Sequence, residues 1–102
     1  MAKQIKVRED NYFAVQGWMV NKLKLSGNAL LIYAIIYGAT QTKGVEFPAS
    51  NKYFCNWLNV SKPTVINTIK DLEQKGLIEK HQKDVNGMTF NSYVAKIPKE
   101  AK

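Results

Sequence analysis

The segment "NVSKPTVINTIKDLEQKGLIEK" constrains the fold of this chain more than any other. Val60, Val65, Ile69 and Leu72 recur at helical spacing, yet Pro63 stands inside the run and removes a backbone donor. In the first turn of a helix that N–H has no partner in any case, and the fixed φ of proline suits a helix start. The pattern therefore predicts a helix from Lys62 to about Lys75, with Ser61 as N-cap and Gly76 as its stop. On a wheel of about 100° per residue, Ile69 and Leu72 fall within about 40° of Val65. Pro63, Thr64, Asn67, Lys70, Asp71 and Gln74 fall on the opposite side. One side belongs to a core, the other to a surface free to meet a ligand.

What flanks this helix narrows the fold further. Upstream, Pro48 keeps Phe47 out of helical geometry and Ser50 caps a helix in "NKYFCNWLN", whose Tyr53, Phe54, Trp57 and Leu58 share one face. Downstream, Leu77 to Lys83 and Met88 to Ile97 read as strands around "DVNG", in which Asn86-Gly87 suits a type I′ turn. Earlier still, a short helix is expected at Gly17 to Leu23. A longer one, "GNALLIYAIIYGA", follows with Ser26 as N-cap and Gly38 as stop. "TQTKG" reads as a loop and "VEF" as a short extended piece. Charged ends, 1–11 and 98–102, are expected to be flexible tails around one domain at 12–97. The expected fold class is mainly α with a small antiparallel β wing, a winged helix-turn-helix.

The 15 Lys and Arg residues outnumber 8 acids, for a formal charge of +7, which favours polyanionic partners without choosing among them. Placement chooses: two short helices joined by "NVS" match a helix-turn-helix, whose second helix enters the major groove of double-stranded DNA. Thr64 and Asn67 carry short polar groups able to read base edges. Ser61, Lys62 and the first-turn amides suit phosphate, and Lys70 reaches either target. Lys52 adds a phosphate contact, and Lys80, Lys83 and Asn86, with His81, surround a turn that would lie over an adjacent groove or backbone. Asp71 would repel phosphate and receives no contact. Phe54 and Trp57 are read as core, Tyr93 as undecided and Phe90 as outside the site.

Ser50 to Ile97 resembles winged-helix DNA-binding domains, above all in "VSKPTVINTIKDLEQKGLI". With "YFAVQGWMVNKLKLSGNALLIYAIIYG" in front, residues 12–97 resemble the N-terminal domain of phage and plasmid replication proteins of Gram-positive bacteria, including DnaD-like replisome organisers. The resemblance implies replication initiation in a bacterial cytoplasm, with transcriptional repression or protein docking as alternatives.

Several functions find no support in the residues. One cysteine, Cys55, and one histidine, His81, make no zinc set, and no phosphate loop or nucleophile–base pattern is present, so neither cofactor nor enzymatic activity is expected. The N-terminus lacks the apolar core of a signal peptide, and the apolar run Ala29–Tyr37 is far short of the ~20 residues that span a bilayer, so no membrane partner is expected. "YFAVQGWMV" and "ALLIYAIIY" hold more apolar surface than one helix-turn-helix and a hairpin are expected to bury, from which a homodimer, or a replisome protein partner, is expected.

Overall fold

The computed structural model describes residues 12–40 and 47–97. Its elements run α1 (Gly17–Asn21), α2 (Gly27–Ala39), β1 (Phe47–Pro48), α3 (Asn51–Leu58), α4 (Lys62–Gln74), β2 (Ile78–Val85) and β3 (Met88–Ala95). The expected tails, the "TQTKG" loop and Glu46 lie outside the described residues.

α2 is the helix on which the others are laid. Ile32, Tyr33, Ala34, Ile35 and Ile36 are all buried, because α1, α3, α4 and β3 cover it from different sides. A helix apolar on nearly every face is stable only in such surroundings. The apolar surplus that pointed to a dimer is thus largely absorbed within one chain, although Tyr12, Val15 and Val20 stay exposed. Gly38 does not stop α2. Thr40 does: its N–H and its Oγ1 both donate to the Ile36 carbonyl, at 3.0 and 2.8 Å. The same Oγ1 accepts from the Ala95 N–H at 3.3 Å and ties the helix end to β3. At the other end α1 is shorter than its pattern. It ends at Asn21, and Lys24, at φ 59°, turns the chain so that Leu25 enters the core.

Ser50 caps α3 as expected, its Oγ accepting from the Tyr53 N–H at 3.2 Å. Phe54 on this helix is buried, and Trp57 is half-buried with its ring edge-on to Phe13 at 4.8 Å. Val65, Ile69 and Leu72 form the buried stripe of α4. Gly76, at φ 74°, ends that helix in a Schellman motif: its N–H reaches the Glu73 carbonyl at 3.0 Å and the Leu77 N–H reaches Leu72 at 3.0 Å.

Asn86 and Gly87 both have positive φ, 51° and 79°, the two left-handed positions that a type I′ turn needs. The strands close on the pair Val85↔Met88, so β2 extends beyond Lys83 and β3 stops at Ala95. β1 pairs antiparallel with β3, Phe47↔Tyr93, giving the strand order β1-β3-β2. Phe54 lies edge-on to both Tyr93 and Phe47 and so joins α3 to the sheet. Four described helices, with a three-stranded antiparallel sheet whose two long strands follow α4, make a winged helix-turn-helix.

Tyr33 gives this core a pH signature. Its hydroxyl donates to the Lys96 carbonyl at 2.8 Å, and burial, with Tyr37 nearby, pushes its pKa from 10.0 up to about 12. A folded-state pKa above the unfolded one favours the neutral form. Its contribution to stability is therefore complete below pH 10 and lost as pH rises through about 12. In denaturant titrations, Tyr33→Phe should cost about 1 kcal/mol at pH 7 through the lost hydrogen bond, and should lose less stability than the wild type above pH 10.

Candidate DNA-contacting surface

Packing of Val65, Ile69 and Leu72 inward turns the rest of α4 outward. Lys62, Asn67, Lys70, Asp71 and Gln74 are exposed and Thr64 is half-buried. Ser61 occupies the N-cap position, but its hydroxyl makes no bond to a backbone amide. Its Oγ pairs with Thr64 Oγ1 at 3.1 Å. The hydroxyl that was expected to cap, and the one expected to read a base, therefore hold each other. No side chain caps the first turn of α4, which leaves its amides to water or to an anion. Asp71, which sequence left as a liability on this face, has its carboxylate 3.2 Å from the Lys75 ammonium one turn on. With both side chains about half exposed, that pair offsets charge locally and adds little stability.

The fold also brings Lys52 and Lys62 to one cleft, although ten positions separate them in sequence. Both line a cleft of about 650 Å³ between the starts of α3 and α4 and the distal part of β3. Ser50, Phe90 and Asn91 line it too. Asn91 and Phe90 were not singled out as site residues, because which way β3 presents them depends on its pairing with β2 and β1.

The wing does not gather its lysines. Lys80 is paired with Tyr93 and Lys83 with Phe90. Three residues apart on one strand, they project from opposite faces of the hairpin. Asn86 stands in the turn at the tip. The face that carries Lys83 also carries Val85, Met88 and Phe90, each about half exposed or more. Nearer the base, Glu79 contacts Lys96 at 2.8 Å and His81 at 3.2 Å. Hydrogen bonds from Lys96 first and His81 second hold the Glu79 carboxyl below its ordinary range. Tyr93 is pushed up mainly by burial and by the charge of Glu73, with the nearby Asn91 amide opposing; its hydroxyl has no hydrogen-bond partner of good geometry.

Among the described residues, no cluster of His, Cys, Asp or Glu is able to hold a metal ion, and no helix is long and apolar enough to cross a membrane.

Comparison with known proteins agrees with the two-helix geometry. The family model described as "Helix-turn-helix domain" matches residues 23–78, from the end of the α1 turn through α2, α3 and α4 to the first residue of β2. No curated protein and no solved structure gave a significant match. Most of the wing lies beyond the matched residues, so its assignment rests on strand pairing alone. With more than half of its length covered, and with α3 and α4 as two consecutive helices joined by a short turn, the chain belongs to the helix-turn-helix domain family, which supports DNA as its partner.

Proposed function

We propose that the protein binds double-stranded DNA with α4 in the major groove. The observation that carries this reading is the exposed, basic and polar face of α4, with an uncapped first turn and with Lys52 of α3 lining the same cleft as Lys62. In this reading Asn67 reads a base edge, with an amide suited to adenine, and Thr64 contacts a base through the hydroxyl it now shares with Ser61. Lys52, Lys62, Ser61 and Lys70 hold phosphates, and Lys83 and Asn86 follow the backbone from the outer face of the wing. Lys80, on the opposite face, contributes long-range charge more than contact. Selection from random duplex DNA, followed by affinity measurement on the selected site, tests the proposal. Asn67→Ala should then relax preference at one position by ~1–3 kcal/mol while leaving non-specific binding nearly unchanged. Equal loss on all sequences would remove Asn67 from base reading.

Replication initiation in a phage, prophage or plasmid, within the bacterial cytoplasm, is the role we attach to this binding. It is supported by the resemblance of residues 12–97 to the N-terminal domains of such replication proteins. Repression of transcription uses the same surface and is separated by where the selected site lies, at an origin or over a promoter. Two-fold binding is proposed through a palindromic site, since the apolar residues of α2 are already covered. A protein-docking role, for a replisome partner, is favoured by one feature only, the exposed Val85, Met88 and Phe90 of the wing.

A further inference from the structure

Apart from Lys52 and Lys62, the lining of the cleft beside α4 is not used by duplex contact. β1 covers only the proximal part of the outer edge of β3: Phe47 and Pro48 pair with Tyr93 and Ser92, and the Ala49 N–H reaches the Asn91 carbonyl at 3.2 Å. Successive residues of a strand direct their backbone groups to alternate neighbours. Thr89, two residues before Asn91, therefore turns its N–H and carbonyl to the same side, past the end of β1 and into the cleft. Phe90, 50% exposed, also lines the cleft; its side chain leaves the strand on the face opposite those of Thr89 and Asn91 and so flanks the open edge from the outer side. Lys52 and Lys62 also line the space, and among the described residues lining it none is acidic.

Two cations, a half-exposed aromatic residue and an open strand edge answer the parts of one ligand class. A nucleotide offers a phosphate to the cations, a planar base to the ring and polar base edges to the strand-edge backbone. The volume, about 650 Å³, falls in the range of about 300–1,000 Å³ typical of small-molecule sites. A base inside a duplex has both faces stacked and none to offer Phe90, so the nucleotide must be unpaired. We propose that this cleft binds an unpaired nucleotide, with its phosphate between Lys52 and Lys62 and its base against Phe90. The proposal rests on the duplex reading only through the two shared lysines; Phe90, Thr89 and Asn91 belong to the cleft alone.

The test uses the whole chain, labelled with ¹⁵N and titrated with thymidine 5′-monophosphate, thymidine, inorganic phosphate and a short oligothymidylate strand. Saturable shifts at the amides of Asn51, Thr89 and Asn91 are expected with the monophosphate. Thymidine and inorganic phosphate should each bind roughly tenfold more weakly or less tightly still, because each lacks one half of the contact. Phe90→Ala should weaken the monophosphate about five- to 150-fold, and Phe90→Tyr, which keeps the ring, should restore it. Tighter binding of the strand than of the monophosphate identifies a strand nucleotide as the source; equal binding identifies the free nucleotide, and both support the site. Equal affinity for inorganic phosphate and monophosphate, or a Phe90→Ala effect within twofold, overturns it. Lys70→Glu keeps the outcomes apart, since it should reduce duplex binding and leave the nucleotide shifts unchanged. Intact duplex binding in Lys70→Glu counts against the duplex reading alone.

Discussion

Replacing Lys62 and Lys70 together by Glu is expected to weaken duplex binding on the order of 100-fold at 0.1 M salt while leaving the fold unchanged. Both side chains are exposed and belong to no described ion pair, so the folded state loses no packing when they are reversed. Bound to DNA, each would instead set a carboxylate where the proposal places a phosphate. Salt dependence makes the result specific. If about five lysines neutralise phosphates, log affinity falls against log salt with a slope near −4 to −5, and losing two contacts should flatten it by about 2. Fluorescence anisotropy across a salt series measures both quantities, and circular dichroism checks the fold. Binding and slope equal to the wild type would remove α4 from the interface and favour protein docking through the wing.

Phe54→Ala should be the most damaging single substitution for stability. The ring is fully buried and lies edge-on to Tyr53, Phe47 and Tyr93, at 5.7, 6.4 and 5.9 Å, so one side chain joins α3, β1 and β3. Truncating a buried Phe costs about 3–5 kcal/mol when its surroundings cannot collapse into the space. Against a total stability of about 5–15 kcal/mol, that fraction should lower Tm by more than about 10 °C. Denaturant unfolding at pH 7 measures it. DNA binding should fall less than stability at temperatures where the variant stays folded, because α4 keeps its own buried stripe on α2. A loss under about 1 kcal/mol would place Phe54 at the edge of the core.

Local patterns alone were sufficient for α4, its Gly76 stop and the Asn86-Gly87 turn. A buried stripe at helical spacing, a Schellman glycine and two positive-φ residues are written within a few positions of one another, and each has a conformational preference that tertiary contacts did not need to override. The exposed face of α4 followed from the same wheel. Other outcomes depended on partners distant in sequence. Gly38 looked like a stop, but the coverage of α2 let the helix continue until Thr40 bonded back to Ile36 and across to Ala95. Ser61 looked like a cap, but Thr64 took its hydroxyl.

Sequence by itself determined the order of elements, the extent of α4 and its outward residues, because helical periodicity and turn chemistry act over three or four positions. Tertiary structure alone decided that Lys52 and Lys62 share a cleft, that Lys80 and Lys83 point apart, and that Phe90 flanks an open strand edge. Those facts depend on which strand pairs with which and in what register. A register shift of one residue reverses every side chain on a strand, and only the assembled sheet selects one register from the rest.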